Sequence, residues 1–155
     1  MAKNRIAIAG QEISLRQARK SDFEFVLALY LESTKPLLIA LGDREEVGIG
    51  DRFKASYRAQ RARVISVGAD VIGWMEVSRS AQAFHLHQLH LVKEYRNKGI
   101  GTRLIGSLMD TARAERCPVT LNVIKGNPAQ SLYLRLGFRV IGEDDTRLHM
   151  GWKPE

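Results

Sequence analysis

The stretch Leu86–Gly101, LHQLHLVKEYRNKGIG, gathers residues able to grip an anion. It reads as a buried strand, a basic turn with two closely spaced glycines, and the start of a helix. Such a turn leaves backbone N–H groups bare and aims them at one point, beside the positive end of a helix dipole. Gly99 and Gly101 lack a Cβ, so an anion can approach the backbone and each residue can take positive φ. Arg96 and Lys98 add charge-assisted donors. The group this favours is a phosphate or pyrophosphate. The same spacing also marks plain strand–turn–helix connections, so the chemistry depends on its surroundings. A Walker A loop fails, because Thr102 and Arg103 follow Gly101. A dinucleotide fingerprint is weak, because Leu104 stands where a third small residue is needed.

The elements around that loop must come from one domain. The chain has 155 residues, 45% apolar and 26% charged, with a single cysteine and a formal charge of +7. That length suits one core spanning 1–155. The basic balance favours an anionic partner: a phosphorylated cofactor, a nucleic acid or an acidic surface. Basic residues are scattered, with no Lys/Arg run and no aromatic-interleaved RNA signature, so nucleic acid is not the expected partner. No apolar run is long enough to span a bilayer, and the N-terminus lacks an apolar signal core. A cytoplasmic protein without membrane contact is expected. Cys117 allows no internal disulfide or cysteine zinc cluster, and reads as a buried or idle thiol.

Residues 1–11 carry no clear period and fit a frayed start or short strand. Ile13 to Arg16 alternates as a strand. Ser21 and Glu24 match a capping box, and Phe23, Val26, Leu27, Tyr30 and Leu31 recur at helical spacing. Thr34 to Gly42, broken by Pro36, reads as a short helix or mobile flap. Glu45 to Arg58 reads as a second helix. Arg63–Val67 and Val71–Val77 form a hairpin through Gly68-Ala69-Asp70. On its second strand Trp74 and Glu76 share a face. Ala83 to Val92 is a strand with Phe84, Leu86, Gln88, His90 and Val92 on one side, and His85, His87, Leu89 and Leu91 on the other. Thr102 to Arg116 is a strongly amphipathic helix. Val119 to Ile124 is a central strand. Asn127 caps a helix opened by Pro128, with Tyr133 on its apolar side and Gly137 at its stop. Phe138–Ile141 and Arg147–Trp152 close the sheet.

Asn127, Ala129, Leu132, Tyr133, Gly137 and Phe138 spell N-x-A-x-x-L-Y-x-x-x-G-F. Together with Arg96-Asn97-Lys98-Gly99-Ile100-Gly101, this resembles the GNAT superfamily of acetyl-CoA-dependent N-acetyltransferases. The first match is the family's R/Q-x-x-G-x-G/A pyrophosphate loop, the second its following cofactor segment. The resemblance runs from about Ile13 onward. It implies an α/β (α+β) fold: a mixed, twisted, largely antiparallel sheet of about seven strands, splayed into a V at its centre and flanked by about four helices. It implies acetyl-CoA as cosubstrate, with its pantetheine arm added along a strand edge in the gap between Ala83–Val92 and Val119–Ile124. Backbone groups of Leu89, Leu91 and Val92 would hold that arm and the thioester carbonyl. Arg96, Asn97, Lys98, Gly99, Ile100, Gly101 and Thr102 would hold the pyrophosphate. Asn127 would bond the arm and Tyr133 would stand near the sulfur. Family analogy also allows a homodimer.

The implied reaction needs a base, an oxyanion donor and an acid. An alkyl amine, with a pKa of about 10, must lose a proton before attack, and a leaving thiolate, about 8.5, benefits from a donor. Tyr133 is the expected acid. His85 and His87 lie two apart on one strand, and imidazole suits a general base. The pattern H-L-H-x-L also resembles the arylalkylamine branch of the family, where a His-x-His relays the amine proton through water. His90 reads as structural. Glu76, on the neighbouring strand, is the alternative base through water, because the family's usual carboxylate on this strand is missing. Two histidines without a third ligand at defined spacing make a metal site unexpected. The acceptor pocket is expected between the first two helices and the final hairpin. Tyr30, Phe53, Tyr57, Trp74 or Trp152 could form its wall. Asp43, Glu45, Glu46 or the turn Glu143-Asp144-Asp145 could attract a cationic amine. Two other classes stand beside the transferase: a silent acyl-CoA sensor on the same fold, and a basic nucleic-acid-binding domain.

Overall fold

A computed structural model describes residues 5–8, 11–43 and 46–155. The expected Glu45 start of the second helix and the Glu45 carboxylate lie outside those residues. The strands are β1 (Arg5–Ile8), β2 (Gln11–Gln17), β3 (Ala62–Val67), β4 (Asp70–Arg79), β5 (Phe84–Leu91), β6 (Val119–Ile124), β7 (Arg139–Glu143) and β8 (Arg147–Trp152). The helices are α1 (Phe23–Ala40), α2 (Glu46–Ser56), α3 (Ile100–Ala114) and α4 (Ala129–Arg135). The strands form one eight-stranded sheet in the order β1-β2-β3-β4-β5-β6-β8-β7. The strand beyond the expected seven is β1, which pairs with β2. Neighbours run antiparallel except β5 and β6, which are parallel.

Two apolar cores flank the sheet. One side holds Ile100, Leu104, Ile105, Met109 and Ala112 of α3 against Phe84, Leu86, Leu121 and Met150. The sequence spacing calls for Leu104, Ile105, Leu108, Met109 and Ala112; the helix adds Ile100 at its start and leaves Leu108 half-buried. The other side holds Val26, Leu29, Tyr30 and Leu38 of α1 with Ile49 and Phe53 of α2, packed on Trp74 and Ile124.

α1 departs from expectation at both ends. Its entry is held by Asp22, not by a Ser21–Glu24 box. The Asp22 carboxylate accepts the Arg19 N–H at 2.7 Å and two bonds from the Arg16 guanidinium at 2.8 Å each. The Arg16 bonds lead in lowering its pKa to about 2. Nor does the helix stop at Pro36. It runs on to Ala40, although proline removes the N–H that would reach the Glu32 carbonyl. Beyond the proline Leu38 is buried in the core shared with α2, which holds the last turn in place, and Thr34 Oγ1 donates to Tyr30 O at 2.6 Å.

β5 and β6 pair only through Phe84–Val119, His85–Thr120 and Leu86–Leu121. Beyond those residues the two strands part, which is the expected V. β5 also carries a bulge. Glu76 lies opposite Gln88 and Val77 opposite Leu86, so His87 has no partner on β4. A bulge inserts one residue and reverses the alternation beyond it. Phe84 and Leu86 therefore share the α3-side core with Leu89 and Leu91, while Gln88 and His90 turn to the α1 side. The period-two reading, which set His90 against His85 and His87, is corrected by this insertion.

Candidate active site

The V opens into a cavity of about 320 Å³. His85, His87 and His90 of β5, Glu76 of β4, Asn127 and Tyr133 all line it. The bulge brings the first two imidazoles close, with ring centroids 4.6 Å apart and planes nearly perpendicular. Each has a hydroxyl partner: His87 Nε2 lies 2.8 Å from Ser78 Oγ, and His85 Nδ1 lies 2.7 Å from Thr120 Oγ1. Burial, then the positive field of its neighbours, lowers the His87 pKa to about 4 and moves His85 the same way. Both imidazoles are neutral at pH 7 and able to accept a proton. His90 is more enclosed. Its Nε2–H donates to Gln88 Oε1 at 2.7 Å, its ring packs on Trp74 and Tyr30, and burial lowers its pKa to about 3. It shapes the wall.

Glu76 is 2% exposed. Arg61 reaches it through Nε at 2.9 Å and Nη2 at 2.6 Å. Burial raises its pKa and the Arg61 bonds oppose that rise. Both Arg61 bonds go to Oε2, which fixes the carboxylate against β3's end of the cleft without lowering its proton affinity below that of His87.

Tyr133 is nearly buried on α4, packed edge-on to Phe138 with centroids 5.9 Å apart. Its hydroxyl has no hydrogen-bond partner among the described residues, and burial alone pushes its pKa up to about 12. It stays protonated at any working pH. Asn127 Oδ1 accepts the Ala129 N–H at 2.9 Å, fixing the entry of α4. That leaves the Asn127 amide nitrogen as the group able to face a ligand.

The edge of β5 that faces the gap is legible from strand alternation. Val92 N–H donates to Ile72 O at 2.8 Å, so Val92 and His90 point their backbone groups at β4. Leu89 and Leu91 point theirs at the gap, where β6 no longer pairs. Val92 is therefore not a donor to the gap, and Leu89 and Leu91 are. The loop after β5 turns through Asn97 at φ 59° and Gly99 at φ 82° into α3. The helical ladder opens with Arg103 N–H to Gly99 O at 3.1 Å. The N–H groups of Ile100, Gly101 and Thr102 precede it and are bare, as first-turn amides are. Lys98 and Thr102 are exposed beside them. Arg96 is tied down instead: its Nε donates to Leu91 O at 2.8 Å and its Nη2 to Glu32 at 2.9 Å. It braces the loop against β5 and α1.

The two glycines differ in use. Gly99 supplies the left-handed residue. Gly101 is helical, and a Cβ there would lie 3.3 Å from Leu132 Cδ2, so its smallness lets α3 approach α4. Gly99→Ala is expected to cost about 1 kcal/mol of stability, the penalty of a left-handed L-residue. It should weaken acetyl-CoA binding, read by calorimetry, while Gly101→Ala should leave the turn intact.

A second cavity of about 340 Å³ adjoins the first, between α1, α2 and the β7–β8 hairpin. Tyr30, Phe53 and Asp43 line it, as expected. Trp74 is core, Tyr57 turns its hydroxyl inside, and Trp152 stacks under Arg113 at 5.1 Å, so these three are not its wall. Glu143 pairs with Lys125 at 3.1 Å, and Asp144 ties the hairpin turn through Thr146 and Arg147 N–H. Sequence reading missed Arg147, which lines both cavities, and the hydroxyls of Ser78 and Thr120. Thr120 was visible as a lone hydroxyl in an apolar strand; Arg147 carried no such signal. Among the described residues no group of three or more His, Cys, Asp or Glu side chains is placed to hold a metal, and no helix is long and apolar enough to cross a membrane.

Comparison with known proteins agrees with this geometry. Residues 23–138 match the Acetyltransferase (GNAT) family. The chain is 28% identical over 144 residues to an L-methionine sulfoximine/L-methionine sulfone acetyltransferase of Pseudomonas paraeruginosa, covering 84% of this chain and 82% of that one. Among solved structures it is similar to the PaiA N-acetyltransferase of Thermoplasma acidophilum in complex with coenzyme A. The TM-score is 0.71 at 24% identity, over 91% of this chain and 98% of the other. Naa50 of Arabidopsis thaliana, in complex with the bisubstrate analogue CoA-Ac-MVNAL, shares the fold at TM-score 0.62 and 16% identity, over 91% and 98%. A splayed sheet, a bare-amide turn at its mouth and a match over most of the chain come together here: this protein is an acyltransferase of the GNAT family.

Proposed function

We propose that the protein moves the acetyl group of acetyl-CoA to a primary amine of a small molecule or peptide by direct attack. The observation that carries this reading is the gap itself. An unpaired β5 edge, the Tyr133 hydroxyl and two neutral imidazoles converge on one cavity. The names of the relatives, acetyltransferases acting on amino acid analogues and a neighbour holding coenzyme A, support it.

The first-turn amides of α3 with Lys98 and Thr102 take the diphosphate, and Leu89 and Leu91 take the pantetheine arm and the thioester carbonyl. The amine nitrogen attacks the carbonyl carbon, and the carbon–sulfur bond breaks. His87, aided by His85 and bridging water, takes the amine proton. Tyr133 gives its proton to the leaving sulfur. A hydroxyl near pKa 12 is a weak acid against a thiol near 8.5, but the burial that raises one raises the other.

The pH profile tests the base. A neutral imidazole is required, and the His87 pKa is lowered to about 4. The acid limb of kcat/KM should therefore fall well below pH 6.5, with activity kept as pH drops from 7 toward 5 and lost near 4. His87→Ala should abolish that limb. If His85→Ala and His87→Ala both keep the wild-type profile, the base role passes to Glu76. The direct test is a panel of amines with acetyl-CoA, following free thiol. Acetyl-CoA binding without turnover of any amine would favour the silent sensor. Salt-sensitive DNA or RNA binding without acetyl-CoA affinity would favour the nucleic-acid domain.

A further inference from the structure

The arginines around the cleft are paired with carboxylates, apart from Arg147. Arg61 is held by Glu76, Arg96 by Glu32 and Arg52 by Asp43. The Arg147 guanidinium lines both cavities, and its hydrogen bond is Nη1–H to the adjacent Thr146 Oγ1 at 3.1 Å. Asp144 spends one carboxylate oxygen on the N–H groups of Thr146 and Arg147, at 2.9 and 2.7 Å. Its other oxygen lies 3.5 Å from His149. No carboxylate among the described residues stands within ion-pair distance of the Arg147 guanidinium. A half-buried guanidinium in that state attracts an anion, and its planar fork matches a carboxylate.

Its place separates it from the cosubstrate site. Arg147 of β8 pairs with Ile124 of β6 at the far arm of the V, while the bare-amide turn follows β5. The second cavity is walled by Leu38, Ile49 and Phe53 of α1 and α2. Arg147 thus stands on the α1/α2 side, where an acceptor side chain finds apolar cover.

Resting on the transferase reading above, we infer that Arg147 binds the carboxylate of the acceptor, which is a small α-amino acid. The base fits such an acceptor. An α-ammonium gives up its proton somewhat more readily than an alkyl ammonium, because the adjacent carboxyl carbon withdraws electron density. An imidazole of lowered pKa has less to overcome with the first.

The test uses the whole protein, acetyl-CoA and acceptors matched except at the carboxylate. L-methionine sulfone is compared with its carboxamide and with 3-(methylsulfonyl)propylamine, beside a panel of amino acids and their decarboxylated amines. Wild type should prefer the free carboxylate in kcat/KM. Arg147→Ala should lower the ratio of amino acid to matched amine about ten- to a hundredfold, the loss of charged hydrogen bonds. Arg147→Lys should recover part of that ratio, as a point charge without the fork. A wild-type preference for the amine or the carboxamide overturns the proposal. So does a ratio that Arg147→Ala leaves unmoved, or an equal loss of acetyl-CoA affinity by calorimetry. If only carboxylate-free amines react, the acceptor assignment falls alone. If no amine reacts, the transferase reading falls with it.

Discussion

Tyr133→Phe should lower kcat ten-fold or more while leaving the KM for acetyl-CoA close to wild type. The change deletes one oxygen. It sits on a nearly buried ring whose packing against Phe138 does not depend on it. Positioned acids contribute about 10²–10⁴ in rate, and water can replace part of that, so tenfold is the lower bound. Stability separates this role from a packing role. The hydroxyl faces the cavity, where water can meet it, so removing it should leave the denaturation midpoint close to wild type. A slower enzyme that is no less stable is the signature expected. An unchanged kcat would remove Tyr133 from the chemistry and leave it as a core aromatic.

Gly73→Ala should have the largest effect on stability. A Cβ at residue 73 would lie 2.2 Å from the His90 carbonyl oxygen and 3.1 Å from Leu91 Cα. Both are backbone atoms of β5, so no side chain can swing aside. The chain must move β4 off β5 at the point where Gly73 pairs with Leu91. Overpacking of this kind costs about 3 kcal/mol at the upper end of its usual range. For a chain of this size that is roughly a 10 °C fall in Tm. The displaced segment also carries the Leu89 and Leu91 amides, so acetyl-CoA affinity should fall with stability. A fully stable variant with normal affinity would show that β5 is free to shift here.

The sequence announces the parts of this molecule that follow local rules. The turn from Arg96 to Gly101, the apolar stripe of α3 and the Asn127-to-Gly137 span of α4 each rest on contacts within a few residues. The fate of His90 rests on something else. Nothing between Phe84 and Leu91 marks His87 as an inserted residue; the bulge exists because β4 offers one residue fewer across the ladder. Pro36 was misleading for the same reason. Its local cost is real, but burial of Leu38 beyond it outweighs that cost. The use of Arg96 as a brace needed Glu32, sixty-four residues away, to be in view. Arg147 was hidden by the alternation of an ordinary strand, and what sets it apart is that Arg52, Arg61 and Arg96 each meet a carboxylate from another part of the fold.

The three pairs that join β5 to β6 have a mechanical meaning. Five strands lie on one side of that seam and three on the other, stitched together at a single end. A sheet fastened in this way is stiff along each half and compliant across the seam. Its softest motion is a change in the opening angle, as in a clothes-peg. Whatever is wedged between the arms sets that angle. It therefore sets the span between the bare-amide turn that follows β5 and the hairpin that carries Arg147.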